Sequence, residues 1–129
     1  MSRNTEDRKA LELLNQESRQ EQIGYYRKPF MVLWAAVQEA SVELEEDYDM
    51  SADVAQLWVA ERLRQVADSL VDRLAEKAAS RGVSKSNIAR AAQSSPSNAT
   101  RRFPRLDERQ STSQRILIDE VLDSFDADL

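Results

Sequence analysis

Gly82-Val83-Ser84-Lys85-Ser86-Asn87-Ile88-Ala89-Arg90-Ala91-Ala92-Gln93-Ser94-Ser95-Pro96-Ser97-Asn98-Ala99-Thr100-Arg101-Arg102-Phe103 reads as two short helices joined by a tight turn. Ser84 stands where a side-chain oxygen can accept from the open N–H groups of a first helical turn. Ile88, Ala89 and Ala92 then share one face, a narrow stripe of small side chains that lets another helix approach closely. Ser95 and Pro96 restart the chain, serine as cap and proline at the first helical position, where its missing N–H costs nothing. Ala99 and Phe103, four apart, supply the buried side of the second helix and leave Arg101 and Arg102 pointing outward.

Composition sets the frame around that stretch. The 129 residues suffice for one domain or two small modules, and 41% hydrophobic with 32% charged residues is ordinary for a soluble protein. Two glycines and three prolines leave few strand-ending turns, while Ala, Leu, Glu, Arg and Gln abound, so an all-α architecture is expected. There is no cysteine for a disulfide or a thiolate metal site. There is no histidine either, which removes the commonest general base and metal ligand and weighs against an enzyme. No apolar run is long enough to cross a bilayer, and Met1-Ser2-Arg3-Asn4-Thr5-Glu6-Asp7 is no secretion signal, so a cytoplasmic, nucleoid-associated location is expected.

The net charge of −5 is unevenly spread, and its distribution matters more than its sum. Residues 1–61 hold six Lys/Arg against thirteen Asp/Glu, residues 62–105 hold ten against three, and residues 106–129 hold two against seven. The positive balance falls where the two short helices fall. Three segments follow: an N-terminal helical module (1–61), a basic segment that carries the two short helices (62–105) and an acidic C-terminal helix (106–129).

That arrangement resembles a helix-turn-helix DNA-binding protein over roughly residues 66–105, and Gly82-Val83-Ser84 with Arg101-Arg102-Phe103 is similar to small actinobacterial and phage regulators. Against the family pattern, Ile88-Ala89 occupies the packed start, Ala92 the apolar position before the turn, Ser95 the cap of the recognition helix and Ala99 the residue that locks it down. The family usually has glycine where this chain has Gln93, and a branched apolar residue where it has Ser94; glutamine adopts the turn at a conformational cost. The resemblance implies a recognition helix from Pro96 to Phe103 entering the major groove. Ser97, Asn98 and Arg101 then reach base edges, asparagine suiting adenine and arginine suiting guanine. Ser84, Lys85, Thr100, Arg102 and Arg105 face phosphates, and Arg90 either joins them or is plain surface.

Elsewhere the pattern is helical. Thr5 to Gln22 carries a thin stripe, Leu11 and Leu14 with Leu13 beside them, and reads as a mobile arm or a helix that orders against a partner. Gly24-Tyr25-Tyr26-Arg27-Lys28-Pro29 reads as a break, with Pro29 opening a helix from Phe30 to about Asp47. The acids Glu43, Glu45, Glu46, Asp47 and Asp49 lack the glycine and ligand spacing of a calcium loop, so a solvated helix end is expected, and neither metal nor cofactor. Ser51 caps a long helix reaching nearly to Ser80, whose apolar positions run from Val54 to Ala78. A last helix beginning at Ser111, Thr112 or Ser113 has Leu117, Ile118, Val121, Leu122 and Phe125 on one face and acids opposite. That face either folds back on the chain or docks another protein.

One recognition helix reads few base pairs, so a homodimer is expected, built from Phe30, Leu33, Trp34, Val37, Leu57 and Trp58. The functional expectation is sequence-specific binding of double-stranded DNA by a homodimeric bacterial or phage transcriptional regulator. One alternative is a plasmid or phage partition adaptor that links DNA to a motor or filament through residues 111–129. Another is a helical protein-interaction module or inhibitor without DNA.

Overall fold

Ser51 and Ser84, two of the serines expected as caps, each open a helix in the computed structural model, which describes residues 2–93 and 113–127. Every regular element among the described residues is an α-helix: α1 (Arg3–Gln16), α2 (Arg19–Tyr48), α3 (Ala52–Ser80), α4 (Lys85–Ala91) and α5 (Ser113–Ala127). None of them is long and apolar enough to cross a membrane. The chain divides into two compact units, residues 17–65 and residues 1–16 with 66–129.

In the first unit, α2 begins well before Pro29. Ser18 caps it, accepting at 3.1 Å from the Glu21 N–H, so the break falls at Ser18 and the proline lies inside the helix. Proline there deprives the Tyr25 carbonyl of its donor. The site tolerates this because residues 23–36 are all exposed and water can take the donor's place. Pro29→Ala restores the bond and is expected to stabilise the chain by about 1–3 kcal/mol, less what proline saves in the unfolded state; urea unfolding at unchanged m-value would show it. Asp49, in the left-handed region at φ 52°, ends α2, and Ser51 starts α3 by accepting from the Val54 N–H. Val37, Ser41, Ala55 and Val59 are the buried residues here, two on each helix at a spacing of four. This unit consists of little besides these two helical segments, so each covers the other along that line. The Ser41 hydroxyl is satisfied within it, donating to the Gln38 carbonyl at 2.9 Å.

The second unit contains α1, the later part of α3, α4 and α5. α3 ends in a reverse turn in which Gly82 N–H donates to the Ala79 carbonyl and Val83 N–H to that of Ala78. This is the pairing of a helix closed by a left-handed residue, and Gly82 supplies it at φ 92°. The core is small: Ala75 and Ile88, flanked by Ala78, Ala79, Val83 and Ala92. Val71 and Leu74, expected on the packed side of α3, are exposed.

What α3 buries beside Ala75 is charge. Arg115 of α5 forms a bidentate pair with Glu76, 2.7 and 2.6 Å, and Arg73 Nε reaches Asp119 Oδ1 at 2.6 Å. Arg73, Glu76 and Arg115 are all less than a tenth exposed. The Glu76 hydrogen bonds hold the Arg115 guanidinium above its usual pKa although burial acts the other way. Ile118 is buried on the same side, so α5 folds back onto its own unit through Arg115, Ile118 and Asp119 and keeps Leu117, Val121 and Phe125 exposed.

Candidate nucleic-acid interface

α4 is a seven-residue helix, too short to hold itself, and its placement comes from both ends and one face. Ser84 accepts from the Asn87 N–H at 3.2 Å, as a cap should. Ile88 and Ala89 are buried and Ala92 half-buried, the face expected from the sequence. At the other end the Gln93 N–H donates to the Arg90 carbonyl and Gln93 itself stands in the left-handed region at φ 61°. A non-glycine residue pays on the order of 1 kcal/mol for that conformation. The chain therefore leaves α4 through a left-handed residue that is not a glycine.

A further support has no local signal in the sequence. α1, expected as a mobile arm or a helix that orders against a partner, packs against α4 of its own chain. Its anchor is Asn4: Nδ2 donates to the Gly82 carbonyl at 3.1 Å, Oδ1 accepts from the Ser84 N–H at 2.9 Å, and the Asn4 carbonyl accepts from Asn87 Nδ2 at 2.7 Å. Asn87 is buried, and its Oδ1 in turn accepts from Arg90 at 3.2 Å. One asparagine thus sets the turn before α4 and, through Asn87, the helix itself. Asn4→Ala leaves the half-buried Ser84 N–H without its acceptor and is expected to cost about 1–3 kcal/mol in urea unfolding, with helix content in the folded state little changed.

The DNA contacts expected from the sequence fall into two groups. Ser84, Lys85 and Arg90 lie on or beside α4: Ser84 is occupied as the cap, Lys85 is exposed, and Arg90 is half-buried against Asn87. Ser95, Ser97, Asn98, Thr100, Arg101, Arg102 and Arg105 lie outside the described residues. Arg73, one of the positive charges of this segment, is spent on Asp119 and Glu76 within the unit. No Asp, Glu, Cys or His cluster suited to a metal occurs among the described residues.

Between α1, α3 and α4 lies an apolar cleft of about 560 Å³, lined among others by Leu11, Val71, Leu74, Ala78, Val83 and Ile88.

The residues expected to form a dimer face are placed in the other unit. Phe30, Leu33, Trp34, Leu57 and Trp58 are 44–71% exposed, whereas Val37 is 3% exposed and belongs to the seam within the chain. Arg62 lies over the Trp58 ring at 4.9 Å and covers part of it. Tyr25, Tyr26, Met31, Val32 and Val54 extend the exposed apolar surface.

No protein-family model, curated protein or solved structure matches this chain. Its functional reading rests on its own residues.

Proposed function

We propose that the chain binds double-stranded DNA through the unit formed by residues 1–16 and 66–129, as a homodimer joined by the exposed apolar faces of residues 17–65, and acts as a transcriptional regulator. The observation that carries this reading is the left-handed Gln93 directly after a serine-capped helix packed through Ile88 and Ala89. A left-handed residue at that place suits the turn of a helix-turn-helix, and the sequence continues with the cap-and-proline start Ser95-Pro96. The charge pattern supports the same assignment, because the only positive segment is the one carrying that geometry. In this reading Ser97, Asn98 and Arg101 touch bases, while Lys85, Thr100, Arg102 and Arg105 touch phosphates.

The dimer is supported by the surface of residues 17–65. Two helical segments that bury four residues between them and expose two tryptophans and Phe30 gain little stability alone, and a second copy gives those rings a covered face. Fluorescence anisotropy with a labelled duplex of mixed sequence tests the proposal: binding at low salt that weakens steeply as salt rises is expected, and no binding at low salt would refute it.

One observation favours a second reading. Leu117, Val121 and Phe125 form an exposed stripe at a spacing of four on a helix already docked through Arg115, Ile118 and Asp119, with Glu120 and Asp123 beside the stripe. Such a stripe suits a partition adaptor that carries a protein partner on α5 while holding DNA. Tandem binding sites, and loss of a partner but not of DNA on Leu117→Asp with Phe125→Asp, would support that role.

A further inference from the structure

Resting on the DNA-binding proposal, we infer that Arg8 of α1 and Arg90 of α4 jointly hold a backbone phosphate of the bound duplex, in a polar recess that makes the N-terminal helix part of the nucleic-acid interface. The recess has a volume of about 250 Å³, with Asn4 and Asn87 among its lining and Thr5, Ser86 and the two arginines around them. That is ample room for more than a single water, whose share of liquid volume is about 30 Å³. Among the described residues no carboxylate lines it. Donors dominate: two guanidiniums and the hydroxyls of Thr5 and Ser86, the chemistry that recognises a phosphodiester rather than a cation or an apolar group.

Neither arginine is consumed by its neighbours. Arg8 faces Glu12 at 3.9 Å with both side chains about half exposed, a contact at the limit of ion pairing that contributes little. Arg90 gives one N–H to Asn87, and a guanidinium has five. That bond aims Arg90, because Asn87 is buried and itself fixed by the Asn4 carbonyl at 2.7 Å. The asparagines thus tie the two arginine-bearing helices together at the recess. Nothing in the sequence marks Arg8 as a contact, since it lies more than 75 residues before Ser84 and in a segment of negative balance.

The test compares the unaltered chain with Arg8→Gln and Arg8→Lys in salt titrations of duplex affinity, with circular dichroism melting to establish that all three are folded. Arg8→Gln is expected to weaken every duplex by the same factor and to lower the slope of log affinity against log salt by about 1, with Arg8→Lys retaining most of that slope. Unchanged affinity and slope in Arg8→Gln, with the unaltered chain binding normally, would overturn this site alone. No duplex binding by the unaltered chain would overturn the parent reading and this site with it. In a second arm, inorganic phosphate is titrated while the Arg8 Nε–H resonance is followed by NMR. A shift on adding duplex is expected; a shift with inorganic phosphate and none with duplex would assign the recess to a free anion and overturn the proposal.

Discussion

Glu76→Ala is expected to destabilise the chain by about 3–5 kcal/mol, because it removes the bidentate carboxylate partner of a buried guanidinium. Arg115 is 7% exposed and donates to both carboxylate oxygens of Glu76, at 2.7 and 2.6 Å. Arg73 keeps Asp119 and loses only a 3.8 Å contact, so the loss falls mainly on α5. Replacing both partners, Glu76→Met with Arg115→Met, is expected to recover most of the stability, since neither charge then needs solvation. A double-mutant cycle in urea unfolding measures the coupling. Equal losses from the single and double variants would mean that the site is valued for packing rather than for its charge pair.

The second large effect concerns assembly. Trp34→Glu with Leu57→Glu changes two side chains that a lone chain already exposes, 44% and 71%. If the chain worked as a monomer, the pair would leave folding and DNA affinity close to unchanged. Burial of these faces in a dimer predicts instead that the unaltered chain sediments at twice 14.7 kDa and the variant at 14.7 kDa. DNA affinity should fall at least tenfold, because two linked half-sites become one. Sedimentation and anisotropy on the same samples decide it.

Legibility in the sequence follows the range of the interactions. α3 from Ser51 to Ser80 and α4 from Ser84 are readable because caps and apolar spacing act within a few residues. The left-handed Gln93 has no such local signal, since glutamine is not a residue that favours that conformation. The start of α2 differs from the expected one although a local signal exists: Ser18-Arg19-Gln20-Glu21 is a serine followed three residues later by glutamate, and that cap outweighs the break suggested by Pro29. α1 has the look of an arm because its apolar stripe is thin, and no residue of it is buried. What docks it is a polar contact to partners 78–83 residues away, which no local pattern announces. Arg73, Glu76 and Arg115 are equally hidden, since charges at helical spacing look like solvated surface until another helix covers them. Phe30, Trp34 and Trp58 are legible as large anchors, but only the burial of Val37 separates the seam within the chain from the exposed residues around it.

Hydroxyl-radical footprinting of a duplex selected by the full chain maps how the protein sits on DNA. Two protected patches on one face of the duplex are expected, their centres about one helical turn, ~34 Å, or a multiple of it apart, as two recognition helices related by a two-fold axis require. Uniform cleavage along the duplex at low salt, with the chain folded and in excess, would contradict the proposal.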